Sequence, residues 1–209
     1  MRFQRTLLII LASSLLLAGH AQAGDYSRSG VYAGVNGAYG IDLFGDDLRG
    51  AAGLPAGVVD MGNSWGLNAR LGGRLLSFLA LEFQYEWMHG IPVNFLGLEV
   101  ATFKPHTITG NLKFYIPIKI VQPYILAGAG VGIWKLDVRY PLAIGQLDQS
   151  STGFAARLGA GVDIYLTEKV ALNVEGAGVL NTTSFDISSA DDLSGLYYFS
   201  VSAGILYRF

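Results

Sequence analysis

The chain has 209 residues, 14 of them basic and 16 acidic, with a formal net charge of −2, and this is enough chain for one domain. The small charge and the lack of a basic stripe exclude a nucleic-acid-binding protein, and the absence of cysteine excludes disulfides and lipoprotein attachment. Hydrophobic residues make up 51% of the chain and charged residues only 14%, which is an apolar composition for a soluble domain.

The N-terminus predicts a cleaved secretory signal peptide over residues 1–23. Arg2 and Arg5 precede an apolar stretch at residues 7–18, and a small-x-small cleavage pattern follows at residues 21–23. The apolar stretch is shorter than the roughly 20 residues that a membrane-spanning helix needs, so we expect cleavage rather than anchoring. The mature domain would then cover residues 24–209, with 12 basic and 16 acidic residues and a formal charge of −4.

Alternation of apolar and polar residues with a period of two predicts eight β-strands after the signal. Each strand has about ten residues or slightly more, and at a rise of about 3.3 Å and a tilt of about 40° this length crosses an apolar band of roughly 25 Å. The strands are therefore long enough to span a membrane. In chain order they cover residues 30–40, 64–74, 79–88, 102–115, 123–136, 153–165, 170–180 and 196–209.

The connections between these strands alternate strictly between short and long. This pattern is expected when one membrane face carries tight turns and the other carries loops. An even number of strands then places both termini on the turn side, which predicts periplasmic termini and extracellular loops. The short connections are 75–78, 116–122 and 166–169, and the long ones are 41–63, 89–101, 137–152 and 181–195.

The two faces of the predicted strands differ in polarity. On the third strand Leu81 and Phe83 share one face, whereas Glu82 and Glu86 share the other. The same sorting on the other charged strands predicts an outer face toward lipid and a polar lumen. The predicted polar lumen network consists of Arg70, Arg74, Glu82, Gln84, Glu86, Lys113, Arg157, Asp163, Asn173, Glu175 and Arg208.

Two details of this lumen follow from parity. Arg70 and Arg74 lie on the same face as Glu82 and Glu86 of the next strand, which predicts Arg–Glu pairs across that hairpin. The five positive and four negative charges nearly cancel. The fifth predicted strand, residues 123–136, leaves its parity open because glycines alternate with aliphatic residues.

Aromatic residues gather near the ends of the predicted strands. Two belts of aromatic side chains at the membrane interfaces are typical of proteins that span an outer membrane with strands. The predicted aromatic girdle residues are Tyr39, Trp65, Trp87, Phe103, Tyr124, Trp134 and Tyr165.

Three motifs give the mature chain a family resemblance: residues 31–35 (VYAGV), residues 122–124 (QPY) followed by 128–130 (GAG), and residues 207–209 (YRF). The chain resembles the small outer-membrane β-barrels typified by the OmpA transmembrane domain, OmpX and OmpW. The resemblance implies an all-β fold, an eight-stranded antiparallel up-and-down transmembrane β-barrel. It also implies that the barrel-assembly machinery reads the last strand as a membrane-assembly signal, through Val201, Ala203, Ile205, Tyr207 and Phe209.

Three functions remain open at this level. A barrel of eight strands has an interior only just wide enough for its own side chains, which favours a structural or surface-interaction protein whose lumen is plugged by paired charges. The alternative is a narrow porin-like channel for small or hydrophobic solutes, since several predicted inward positions are glycines that could thin the plug. The inward glycines are Gly128, Gly130, Gly132, Gly159 and Gly161.

The third possibility is an enzyme that modifies lipid A. It would need a nucleophile with a neighbouring base, and the mature chain offers only His89 and His106 as histidine bases, with no matching serine. We therefore expect no catalytic residue, no metal site and no cofactor.

The long connections are acidic, and the expected partners follow from an outer-membrane location. We expect contacts with outer-membrane lipid and lipopolysaccharide, the barrel-assembly machinery during insertion, and a monomeric state. The acidic residues of the connections are Asp42, Asp46, Asp47, Asp60, Glu99, Asp137, Asp148, Asp186, Asp191 and Asp192.

Overall fold

The computed structural model describes residues 26–42, 59–95, 98–138, 149–182 and 196–209, and the predicted signal peptide lies outside these ranges. Among the described residues, no helix is long and apolar enough to cross a membrane. The strands are β1 (Gly30–Asp42), β2 (Val59–Met61), β3 (Ser64–Leu76), β4 (Leu79–Met88), β5 (Ile91–Phe95), β6 (Leu98–Tyr115), β7 (Val121–Val138), β8 (Gln149–Tyr165), β9 (Val170–Asn181) and β10 (Leu196–Arg208).

The eight long strands form a closed antiparallel barrel, which confirms the predicted fold class. Each long strand pairs with two neighbours, and the ring is closed by the pairing of β1 with β10 and of β6 with β7. Closure gives every long strand a hydrogen-bonding partner on both sides. This is the condition for a sheet to exist in hydrocarbon, where no water is available to the backbone.

The side chains alternate as the sequence predicts, with apolar groups outward and polar groups inward. Phe83 and Leu158 are 61% and 72% exposed on the outer wall, whereas Glu82 and Asn173 in the lumen are 0% exposed. The parity of the fifth predicted strand, now β7, is settled by Ile125, which faces outward. The residues that alternate with it on β7, including the glycines, therefore face the lumen.

Two short strands, β2 and β5, lie within connections that the sequence analysis treated as strand-free. They pair with each other, and β5 pairs with the start of β6. β6 and β7 have 18 residues each and β8 has 17, against 10 to 13 residues in the other long strands. The barrel wall is thus taller on the β6–β8 side, where the strands extend past the predicted bounds of 102–115, 123–136 and 153–165. Lys104 and Lys135 face outward there.

The interior of the barrel has a polar middle layer between two apolar clusters. The loop-end cluster lies where the long connections begin, and the turn-end cluster lies beside the short turns. The loop-end cluster comprises Ala38, Met88, Ile91, Val93, Trp134, Val179 and Tyr198. The turn-end cluster comprises Tyr32, Ala80, Tyr115, Tyr124, Leu126, Tyr165, Ala171 and Leu206.

The outward alternation predicts how the barrel responds to a charge placed on its wall. Phe83 lies at the centre of β4 and is strongly exposed, so Phe83→Arg puts a guanidinium into the hydrocarbon. We expect it to lower the free energy of unfolding by about 2–4 kcal/mol, as measured by urea unfolding in phospholipid vesicles. Phe83→Leu is the matched control and should change that free energy far less. Equal losses in the two variants would show that this wall does not face lipid.

Candidate functional site

Glu175 of β9 is the centre of the polar layer. Its carboxylate accepts two hydrogen bonds from the guanidinium of Arg70, at 2.7 and 3.1 Å, and one from the hydroxyl of Tyr124 at 2.8 Å. Lys113 and Arg157 approach the same carboxylate at 3.7 and 3.5 Å. One buried anion therefore faces three cations that are supplied by three other strands.

Glu82 and Glu86 of β4 balance the remaining positive charge. The ammonium of Lys113 lies 2.7 Å from Glu82, and a guanidinium nitrogen of Arg157 lies 2.8 Å from Glu86. The charged side chains in these pairs are at most 1% exposed. Three cations and three glutamates therefore form one connected, neutral cluster, as unpaired buried charge would be too costly to keep.

Tyrosine hydroxyls donate further hydrogen bonds to the acidic groups. Tyr32 donates to Glu82 at 2.9 Å, and Tyr198 donates to Glu86 at 2.8 Å. Asp163 accepts from Tyr115 at 3.0 Å and from the amide of Asn173 at 2.6 Å. These tyrosines were not among the predicted lumen residues. Tyr115 and Tyr198 lie at the same parity as Lys113 and Arg208 on their own strands, and that parity was the signal that could have found them.

Amide side chains link the network to the other strands. The Asn173 amide also donates to the Tyr124 hydroxyl at 2.8 Å, and Asn36 of β1 donates to Asn173 at 2.7 Å. Gln84 accepts from Asn111 of β6 at 3.0 Å. The polar layer therefore connects strands on all sides of the barrel.

Arg74 and Arg208 stand apart from this cluster, at the turn end. Arg74 donates to the side chain of Gln122, and its guanidinium lies 4.3 Å from the centre of the Tyr115 ring. Arg208 donates to the Tyr26 carbonyl at 2.7 Å and to the Tyr165 hydroxyl at 2.8 Å. Two of the predicted network residues thus hold Tyr26, in the segment before β1, at the turn end of the barrel instead of pairing with a described carboxylate.

The predicted Arg–Glu pairing across the β3–β4 hairpin is confirmed, among the described residues, for Arg70 and Glu82 alone, and that contact is a long one. Arg70 lies opposite Gln84 and Arg74 lies opposite Ala80. Arg70 comes only within 3.9 Å of Glu82, and its two short contacts go across the lumen to Glu175. A narrow barrel brings opposite walls within reach of an arginine, so the partner is not restricted to the neighbouring strand.

All eleven predicted lumen residues are buried in the structure. The predicted girdle residues divide into two groups. Tyr39 and Trp65 are exposed on the outer wall, and Trp87 is half-buried there beside Trp65. Val201, Ala203, Ile205, Tyr207 and Phe209 of the last strand are all exposed, while their reading by the assembly machinery stays a prediction.

The girdle prediction is wrong for Phe103, Tyr124, Trp134 and Tyr165, which face the interior. Tyr124, Trp134 and Tyr165 are only 3%, 0% and 9% exposed. Phe103 packs against the loop-end cluster, with its ring 6.1 Å from that of Trp134. The girdle prediction was based on nearness to a strand end. The alternation along the strand, however, decides whether a side chain points outward to lipid or inward to the lumen, and the inward tyrosine hydroxyls have hydrogen-bond partners there.

The inward glycines make room for lumen side chains. A Cβ atom at Gly161 would lie 2.5 Å from the Tyr124 side chain, and one at Gly128 would lie 1.9 Å from Asn111. One at Gly132 would lie 1.9 Å from the Asn181 amide. The space that these glycines leave is therefore occupied by their neighbours and does not form a passage.

The two histidines of the described chain lie on the outer wall and contact different aromatic residues. His89 stacks on Trp65 with ring centres 4.9 Å apart, and the Tyr85 hydroxyl lies 2.9 Å from Nδ1 of His106. Within the described ranges, no group of three or more histidine, aspartate or glutamate side chains is arranged to hold a metal ion.

Comparison with known proteins places this geometry among barrels of the outer membrane. A family model described as "Outer membrane protein beta-barrel domain" matches residues 9–209. Comparison with curated protein sequences finds no significant match.

Solved structures share the fold at low sequence identity. OprG from Pseudomonas aeruginosa is 19% identical with a TM-score of 0.54, over 86% of this chain and 96% of its own. The outer membrane protein AlkL, solved in lipid bilayers, is 18% identical with a TM-score of 0.52, over 91% and 94%. Neisserial surface protein A is 16% identical with a TM-score of 0.50, over 87% and 97%.

The position of Glu175 among three cations predicts the effect of removing its charge. Glu175→Gln leaves Arg70, Lys113 and Arg157 with one anion fewer, and breaking a buried pair on one side costs about 3–5 kcal/mol. We expect a loss of that size in the free energy of unfolding, measured with urea in vesicles. Glu168→Gln, in an exposed turn, is the control and should have little effect. A loss no larger than that of the control would show that the cluster does not depend on Glu175.

Proposed function

Because this chain belongs to the outer membrane protein β-barrel domain family, we propose that it is a monomeric, non-conducting barrel of the bacterial outer membrane with a structural and surface-interaction role. Both termini lie on the periplasmic side in this proposal, and the long connections are extracellular. The orientation is supported by the short turns that follow β3, β6 and β8 and by the long connections at the opposite end.

The neutral charge cluster of the lumen carries this proposal. Its six charged side chains join β3, β4, β6, β8 and β9 across the full width of the barrel. An ion that crossed the lumen would have to separate these pairs inside the protein, where each charge lacks water. Breaking such a pair costs several kcal/mol, so the cluster acts as a plug.

The two apolar clusters add a barrier at each end of the plug. Trp134 and Tyr198 contact each other in the loop-end cluster, with ring centres 6.3 Å apart. Tyr115 and Tyr124 do so in the turn-end cluster, at 5.1 Å. A solute would therefore meet an aromatic layer, a charged layer and a second aromatic layer in turn.

The surface role rests on the taller side of the barrel. β6, β7 and β8 continue beyond the wall formed by the other strands and carry β5 and β2 as an additional sheet edge. Such a platform is a suitable surface for contacts outside the membrane. Most of the acidic loop residues lie outside the described ranges, so this proposal makes no use of their positions.

The remaining partners are proposed on chemical grounds. The apolar outer face of β10 suits recognition of the terminal strand during assembly, and the outer wall suits contact with lipid and lipopolysaccharide. The closed ring leaves no unpaired strand edge within the barrel wall, which supports a monomer. His89 and His106 are engaged with aromatic side chains on the outer wall, and we assign them no catalytic role.

Single-channel recording tests the plug directly. The refolded mature protein in a planar bilayer should show no discrete openings, because the paired charges fill the lumen. Reproducible openings whose conductance changes in Arg70→Ala or Glu82→Ala would contradict the plug and show that the lumen is a narrow channel. Lys104→Ala is the control, since Lys104 lies on the outer wall and cannot alter a current that passes through the lumen. A shift in gel mobility on heating verifies that the wild-type protein and each variant are folded.

A further inference from the structure

A groove of about 430 Å³ lies on the outer wall near the loop end of the barrel. Its lining comes from β1, β3, β4 and β6, so it runs across four strands on one side. The lining residues are Val35, Leu67, Asn68, Ala69, Tyr85, Trp87 and His106. With the exception of Asn68, they belong to the outward-facing set of their strands.

The groove exists because two small residues face outward between large ones. Ala69 lies opposite Val35 on one side and opposite Tyr85 on the other. One row toward the loops, Gly37 lies opposite Leu67, which in turn lies opposite Trp87. Ala69 lines the floor with only a methyl group, Gly37 beside Leu67 has no side chain, and the aromatic side chains of β4 form a raised edge.

The loop-side end of the groove is polar and aromatic. Trp65, Trp87 and His89 form a cluster in which the Trp65 ring lies 5.5 Å from that of Trp87 and 4.9 Å from that of His89. Below them, the Tyr85 hydroxyl is hydrogen-bonded to Nδ1 of His106. When that hydroxyl donates, Nε2 of His106 carries the ring proton and can donate to an oxygen atom.

Positive charge lies directly above the groove. Lys104 precedes His106 by two residues on the same face of β6, about 7 Å along the strand, and is paired in register with Lys135 of β7. Lys104 contacts Asp137, and both of these side chains are partly exposed. Lys135, which is exposed, and the imidazole of His106 complete the rim, so the described rim carries one carboxylate against two ammonium groups.

We propose that this groove binds one lipid of the outer leaflet, a lipid with a phosphate headgroup. An acyl chain would lie over Ala69 and Gly37, and the phosphate would lie at Lys104, Lys135 and His106. The apolar floor and the cationic rim match the two halves of an anionic amphiphile. The inference deepens the lipid contact named under the proposed function and rests on the same orientation, because the groove opens toward the leaflet on the loop side.

A lipid is favoured over a water-soluble ligand by where the groove lies. Its walls face hydrocarbon, and a polar solute would have to give up its hydration to enter it. A lipid chain is already in that solvent and only exchanges one apolar contact for another. The lysines then add the selectivity, since each basic residue near an anionic lipid surface contributes about 1 kcal/mol.

Tryptophan quenching by brominated lipids tests the site. Trp65 and Trp87 lie at the groove, whereas Trp134 is buried inside the barrel and gives a constant background. The mature protein is placed in phosphatidylcholine vesicles that contain brominated phosphatidic acid or brominated phosphatidylcholine with the same chains. We expect the relative binding constant to favour phosphatidic acid by about fivefold, the factor that corresponds to one lysine at an anionic surface.

Two variants and one control separate the parts of the site. K104Q combined with K135Q should bring the preference for phosphatidic acid close to one, because it removes the charge and leaves the groove. A69F should abolish the stronger quenching, because its ring fills the floor. A160F is the matched control, since Ala160 is exposed on the outer wall of β8, away from the groove, and this variant should keep the wild-type preference.

Each other outcome overturns the proposal. Equal quenching by the two lipids in the wild type shows that no anionic lipid is selected. Loss of the preference in the lysine variant together with its retention in A69F shows a diffuse charge effect without a groove site. We expect unbrominated lipid A to compete for the groove and relieve the quenching, and quenching that persists in its presence would show that the groove does not accept this lipid. Conductance is measured separately from lipid quenching. A negative quenching result therefore leaves the proposed plug unaffected, and a conducting lumen leaves the proposed lipid site unaffected.

Discussion

The structure depends on one constraint: inside a hydrocarbon layer, every polar group must find its partner within the protein. The backbone meets this constraint by closing the sheet, so that each long strand is paired on both sides. The side chains meet the constraint through the alternation of each strand. One face of the strand contacts lipid and must be apolar, so polar side chains can be placed only on the face toward the lumen. Nine charged side chains are thereby buried in a narrow interior, where they must neutralise one another.

The lumen satisfies this requirement in a layered way. Glu175 faces Arg70, Lys113 and Arg157, while Glu82 and Glu86 complete the balance. Tyrosine hydroxyls donate to the same carboxylates, and glycines on β7 and β8 provide the space in which the lumen side chains fit. Stability and closure of the lumen therefore have the same origin, since the contacts that hold the barrel walls together also block the passage.

The outer wall is not uniform. Most of it is an apolar surface suited to any lipid chain. Near the loop end it carries a groove with an aromatic edge and a cationic rim, next to the side where β6–β8 rise above the rest of the barrel. A bound anionic lipid and an extended platform on neighbouring strands would present one continuous surface at the membrane boundary.

The sequence by itself determined the eight long strands, the faces of the strands that carry charges, and the burial of all eleven predicted lumen residues, because strand parity is a local property with a period of two. It left the parity of residues 123–136 open. It did not determine that Tyr124, Trp134 and Tyr165 point inward, since those residues were assigned by their nearness to strand ends. Only the tertiary structure decided that the short contacts of Arg70 go to Glu175, 105 residues away, while its hairpin neighbour Glu82 lies at 3.9 Å. Partners across a lumen depend on barrel width and register, and no local pattern in the chain encodes either.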